Sequence, residues 1–167
     1  MFCDIDTDNW AMTSKTFESA ITERTAAVIP VHIYGYPSQI EAICKLAKDK
    51  NIYVIEDCAE ALGSFVKSQH VGTFGDIGTF SFFGNKTLTT GEGGMCIFND
   101  SKIWNKAKLM RDHGMSPKKR YWHEEVGFNY RLTNMQAAIG LAQLEKSENI
   151  FQRKRDIDKL YRKELSS

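Results

Sequence analysis

The stretch Ser81-Phe-Phe-Gly-Asn-Lys86-Thr-Leu-Thr-Thr-Gly-Glu-Gly-Gly94 puts one lysine inside an apolar, glycine-punctuated turn between two predicted strands. Desolvation in such a turn disfavours the ammonium form and makes the amine a nucleophile toward carbonyls. The typical use of that chemistry is a Schiff base with an aldehyde cofactor, of which pyridoxal 5′-phosphate is the commonest. The competing reading is a lysine whose stem crosses the loop and whose head reaches water.

A second segment bears on that choice. Ile52-Tyr-Val-Ile-Glu-Asp57 reads as a buried strand running into an acidic pair, followed by Cys58-Ala-Glu-Ala-Leu-Gly63. The C-terminal end of a parallel strand is where open α/β sheets bind ligands. A pyridoxal phosphate enzyme needs a carboxylate there, against the pyridine nitrogen, so that the ring can accept electrons. Asp57 is the candidate and Glu56 the alternative, because neighbouring side chains on a strand point to opposite faces. Asp57 also reads as an N-cap for whatever helix follows.

The rest of the chain alternates. Residues 26–32, 52–56, 77–82 and 94–98 read as strands. A helix opens at Pro37-Ser38 and runs to about Lys50, with Ile40, Ile43, Cys44 and Ala47 on one face. Ser101 is expected to cap a helix that ends near Gly114, and a loop rich in aromatic and basic residues spans Met115 to Glu125. Thr133 is expected to cap a long helix with an apolar stripe of Met135, Ala138, Ile139 and Ala142. That stripe continues less cleanly through Ile150, Ile157, Leu160 and Tyr161. This β-α-β alternation predicts an α/β layered sheet.

The 22 Lys plus Arg and 21 Asp plus Glu leave a net charge of +1, which gives no bulk attraction to nucleic acid or to a membrane. Apolar runs fall far short of the about 20 residues of a membrane span. Asp4, Asp6 and Asp8 interrupt any signal-peptide core. Cys3, Cys44, Cys58 and Cys96 form no CxxC pair and read as buried small apolar residues of a reducing compartment, so the predicted location is cytoplasmic. His32, His70, His113 and His123 form no metal-spaced cluster, and no metal is expected. His32 ends the strand Ala26–Val31, a position that suits either a substrate contact or a core histidine.

Five runs resemble the DegT/StrS sugar-nucleotide aminotransferases. They are Ile29-Pro-Val-His-Ile-Tyr-Gly35, Ile55-Glu-Asp-Cys-Ala-Glu-Ala-Leu-Gly63, Gly75-Asp-Ile-Gly-Thr-Phe-Ser-Phe82, Asn85 to Met95 and Gly127-Phe-Asn-Tyr-Arg-Leu-Thr133. They occur in family order and cover nearly the whole chain. The resemblance implies part of the large domain of a three-layer αβα pyridoxal phosphate-dependent transferase (aspartate aminotransferase fold, fold type I). It implies that Lys86 holds the cofactor and moves the proton, and that Asp57 partners the pyridinium. Glu60 falls near the ring oxygen, and Ser81 bonds the phosphate. Asn129 reaches the phosphate of a neighbouring subunit's cofactor, so a homodimer with a shared site is implied. His32, Trp122, Lys119 and Arg120 are the implied substrate contacts, the last three in a loop that borders the sugar nucleotide.

A sister branch of 3-dehydratases resembles this family but carries histidine in place of the lysine, so Lys86 favours transamination. Ser81 to Lys86, Arg111-Asp-His-Gly-Met115 and Arg120-Tyr-Trp122 look most like the branch that aminates GDP-4-keto-6-deoxymannose with glutamate for O-antigen synthesis. A UDP- or dTDP-linked keto sugar is the alternative substrate. An inactive remnant acting only as a partner chain is the other alternative. Family members are more than twice as long, so the 167 residues read as a central fragment. Residues 1–147 would be the middle of the cofactor-binding domain, and 148–167 the start of a linker helix toward a small C-terminal domain.

Overall fold

A computed structural model describes residues 1–166. Four strands form one sheet in the order β1 (Ala27–Val28), β2 (Tyr53–Asp57), β5 (Ile77–Ser81), β6 (Gly94–Phe98). The first three run parallel, and β6 returns antiparallel to β5. The hairpin β3 (Phe65–Val66) and β4 (Gln69–His70) forms a separate two-stranded unit, turning at Lys67 with φ 57°. Nothing in Val66-Lys-Ser-Gln69 marks that turn, which lacks the usual Gly or Asn.

Helices α1 (Ser14–Ala20) and α2 (Ile40–Asp49) cover one face of the sheet. Ile40, Ile43 and Ala47 recur at helical spacing and pack with Phe17, Val28, Ile52 and Val54 into the main core. The strand Ile52–Asp57 is therefore not buried on both sides. Val54 and Glu56 face the core, whereas Tyr53 on the opposite face is 59% exposed. The same alternation runs through Val28, Pro30 and His32 inward and Ile29 and Val31 outward.

The first strand is shorter than the predicted 26–32. In its register with β2, residue 30 would donate to the Ile55 carbonyl, and proline has no N–H. Pairing resumes beyond it, where the Asp57 N–H donates to Pro30 O (2.9 Å) and the His32 N–H to Asp57 O (3.0 Å).

Helix α3 (Ser101–Arg111) packs on β6 and begins one residue earlier than expected. Its N-cap is Asp100, whose Oδ1 accepts from the N–H groups of Lys102 (2.5 Å) and Ile103 (3.2 Å). Asp100→Ala is expected to cost about 1 kcal/mol and Ser101→Ala close to nothing. Urea midpoints of the two variants read this directly, and the reverse order would return the cap to Ser101.

The long C-terminal helix is two helices, α4 (Asn134–Leu144) and α5 (Ser147–Leu165), broken at Glu145–Lys146. Thr133 caps α4 through a capping box with Gln136, as predicted. The face of α4 turned inward is not the apolar one. Gln136, Gly140 and Gln143 are its partly buried residues, while Met135 is 78% exposed and Ile139 and Leu144 also face outward. What α4 meets is loop backbone, whose unpaired N–H and C=O groups need amide partners rather than methyl groups. Among the described residues no helix is long and apolar enough to cross a membrane.

Candidate functional site

Lys86 lies in the loop 82–93 that joins β5 to β6. The loop is closed at its base by Phe82 N–H to Gly93 O (2.8 Å) and Thr90 N–H to Phe82 O (2.9 Å). Lys86 is only 20% exposed, and its Nζ lies 3.7 Å from Glu60 Oε1. The other Glu60 oxygen accepts the Tyr34 N–H at 2.8 Å. Tyr34 can aim that N–H because it is left-handed (φ 50°, ψ 26°), a conformation uncommon for a residue with a side chain. Apart from the turn signal of the glycine that follows, nothing in the sequence marks Tyr34 for a role.

Asp57 is the last residue of β2, at the C-terminal edge of the parallel strands. Its Oδ1 accepts the Ala59 N–H at 2.9 Å, which makes a turn rather than a helix cap, and Oδ2 has no donor among the described residues. Asp57 pairs in register with Thr79. Ser81 lies two residues beyond Thr79, so the side chains of Asp57 and Ser81 belong to the same face of the sheet. Ser81 Oγ accepts the Phe83 N–H (3.3 Å), which leaves its own proton to donate.

The structure decides between Glu56 and Asp57. Glu56 is fully buried on the opposite face and takes four donors. Oε1 accepts from the Phe74 and Gly75 N–H groups, both at 2.7 Å, and Oε2 from the Gly72 N–H (2.7 Å) and His32 Nε2 (3.1 Å). Gly72 comes this close because Gly78 faces it, where any Cβ would overlap the Gly72 carbonyl oxygen. Burial pushes the Glu56 carboxyl up, but the bonds from His32, Gly75, Gly72 and Phe74 outweigh it and hold the group below the ordinary carboxylate range.

His32 is the correction to the predicted substrate contacts. It is fully buried, and the Ser38 N–H donates to its Nδ1 at 3.0 Å, so Nε2 carries the proton given to Glu56. No ring nitrogen is left for a ligand. Cys58 lies within 4.8 Å of the same pair. Its thiol is pushed up to about 12 by burial and by the charges of Glu56 and Asp57, which makes it an inert core residue. Cys96, expected inside, is exposed on β6.

Trp122, Lys119 and Arg120 lie in the loop after α3, and among the described residues none of the three bonds to the Lys86–Glu60 pair. Lys119 Nζ sits 4.4 Å from the centre of the Trp122 ring, and the Arg120 guanidinium 4.9 Å from that of Tyr121. Asn129 is exposed, on a bridge with Asp112 at the end of α3.

The donor set has a definite chemistry. It joins an amine able to bond an aldehyde, a carboxylate with a free oxygen for a ring N–H, and a hydroxyl at a strand end for a phosphate. Those are the three demands of pyridoxal phosphate, and the residues fit it.

Comparison with known proteins gives a family model, the DegT/DnrJ/EryC1/StrS aminotransferase family, that matches residues 1–167. The GDP-perosamine synthase of Escherichia coli O157:H7 is 50% identical over 167 residues, which are 100% of this chain and 46% of that one. The chain thus spans about half the length of the curated relatives it matches. The aminotransferase TlmJ from Streptoalloteichus hindustanus superposes with a TM-score of 0.95 at 32% identity, over 100% of this chain and 46% of that one. The E. coli GDP-4-keto-6-deoxy-D-mannose-3-dehydratase with bound hydrated PLP has a TM-score of 0.90 at 26% identity, over 99% of this chain and 47% of that one.

Proposed function

The chain belongs to the DegT/DnrJ/EryC1/StrS aminotransferase family, and from that premise we propose that it carries the cofactor-holding part of a pyridoxal 5′-phosphate-dependent sugar-nucleotide aminotransferase. The observation that carries this reading is the contact of Lys86 with Glu60, which brings the loop lysine to the end of the strand that finishes at Asp57.

Each residue then has a task. Lys86 would hold the cofactor through Nζ and would carry the substrate proton at that same atom. Asp57 holds a proton on the pyridine nitrogen through its free oxygen. Glu60 orients Nζ, and Ser81 donates its hydroxyl proton to the phosphate. The bound ring supplies the electron sink for the carbon that loses a proton.

The likeness to GDP-perosamine synthase supports GDP-4-keto-6-deoxymannose as the acceptor, with glutamate as the amino donor and O-antigen synthesis as the setting. We assign Lys119, Arg120 and Trp122 to the nucleotide, a diphosphate being the partner a basic loop prefers. Asn129, exposed and bridged to Asp112 at the end of α3, fits a role toward a second subunit's phosphate, and we take the active form to be a homodimer. The four free cysteines favour a reducing, cytoplasmic setting.

The test is an absorbance titration of the chain with pyridoxal phosphate beside Lys86→Ala. A lysine-dependent visible band is expected, bleached by glutamate and restored by GDP-4-keto-6-deoxymannose but not by UDP- or dTDP-linked keto sugars. No band, or one that Lys86→Ala retains, overturns the reading. Restoration by another nucleotide overturns only the substrate.

A further inference from the structure

The inward face of α4 consists of Gln136, Gly140 and Gln143, at i, i+4 and i+7, and all three meet the limb of the lysine loop that returns to β6. The Thr89 N–H donates to Gln143 Oε1 (3.1 Å), and Gln143 Nε2 donates to Thr89 O (2.5 Å). Gln136 Nε2 donates to Glu92 O at 3.0 Å. Between them Gly140 lets the helix close on the loop, since a Cβ there would come within 2.9 Å of Thr90 Cγ2.

The loop leaves Thr89 in need of such a partner. Thr90 N–H and Thr89 Oγ1 both donate to Phe82 O, at 2.9 and 3.1 Å, while the Thr89 N–H and C=O find nothing inside the loop. A primary amide that gives and takes one hydrogen bond with the same residue does what an adjacent strand would do. Leu88 and Thr90, on either side, are buried, so the limb is fixed just after Lys86.

We propose that Gln143 is a positioning residue for Lys86. Resting on the functional reading above, it assigns to α4 the task of holding the lysine limb so that Nζ stays within reach of Glu60 and of the carbonyl of a ring held at Asp57. The polar inward face of a helix whose apolar residues point outward is the mark of that task. A bimolecular capture that depends on pre-set geometry is sensitive to small displacements.

The experiment compares the full chain with Q143M, which keeps the side-chain volume but loses the amide, and Q143E, which keeps an acceptor for the Thr89 N–H but sets a carboxylate oxygen against the Thr89 carbonyl and repels it. Amide hydrogen exchange is measured without cofactor, and pyridoxal phosphate binding by its lysine-dependent band. Exchange across residues 87–91 is expected to rise at least about tenfold in both variants while β2 stays protected. Pyridoxal phosphate is expected to bind at least about tenfold more weakly, with little change in Tm. Wild-type exchange in the loop, or wild-type affinity for pyridoxal phosphate, overturns the proposal. If Q143M does not fold, Q143E decides it alone. A wild-type chain with no lysine-dependent band brings down the functional reading and this role together. The exchange data separate that outcome from a clamp that does not hold.

Discussion

Lys86→Ala is expected to abolish amino-group transfer in the complete enzyme, a loss of at least about 10⁴-fold, because it removes the bond to the aldehyde and the proton carrier in one step. Lys86→Arg should fail nearly as badly. A guanidinium restores the charge beside Glu60, but it stays protonated and cannot act as a nucleophile. Stability should barely move in either variant. The Lys86–Glu60 pair is partly solvated, and such pairs contribute at most about 1 kcal/mol. Activity and stability are thus separable at this residue, and a single-turnover assay beside a thermal melt reads both. Transfer of one equivalent of amino groups by Lys86→Ala would remove the lysine from the mechanism.

The features that decide this site were legible where they depend on a short period. Two-residue alternation along Ile52–Asp57 said that only one of Glu56 and Asp57 faces the ligand edge, and the structure puts them on opposite faces. Three- and four-residue spacing along Ile40–Ala47 placed α2 on the core. The α/β layering followed from the alternation of strands with helices, since parallel strands need crossovers. The role of His32 stayed open because a strand-end histidine suits a core and a site equally. Only the tertiary partners Glu56 and Ser38 close that choice.

The misreadings share a cause, which is a partner remote in sequence or a signal that is weak. The apolar residues of α4 predicted an inward stripe, yet the helix turns its amides to Thr89 and Glu92, tens of residues away. Tyr34 gains its task from Glu60, and the hairpin at Lys67 uses a residue that turn chemistry does not favour. The break between α4 and α5 falls at Glu145–Lys146, where neither proline nor glycine announces it.

The largest stability effect is expected at Glu56. Glu56→Ala strips the acceptor from three backbone N–H groups and from the His32 imidazole, all packed inside. Breaking a buried charged network by removing one partner costs about 3–5 kcal/mol, a large part of the stability of a domain this size. Glu56→Gln should cost nearly as much. Its NH2 group would face either the paired Phe74 and Gly75 donors or the Gly72 and His32 donors, and no flip of the amide avoids both. The cost should also depend on pH. The folded carboxyl lies below its ordinary value, so the unfolded chain binds the proton more readily. The contribution is complete at neutral pH, begins to fall below about pH 4.3, and is lost as the pH passes through the lower folded value. Urea midpoints of wild type and Glu56→Gln should therefore differ widely at pH 7 and converge in acid, and a gap that stays constant would mean the charge is not what holds the loop. Asp57 is the next residue, and its backbone is held between Pro30 and His32 on one side and the Thr79 strand on the other. A loosened Glu56 would thus reach the candidate site through the strand itself, leaving Lys86 in place but Asp57 out of register.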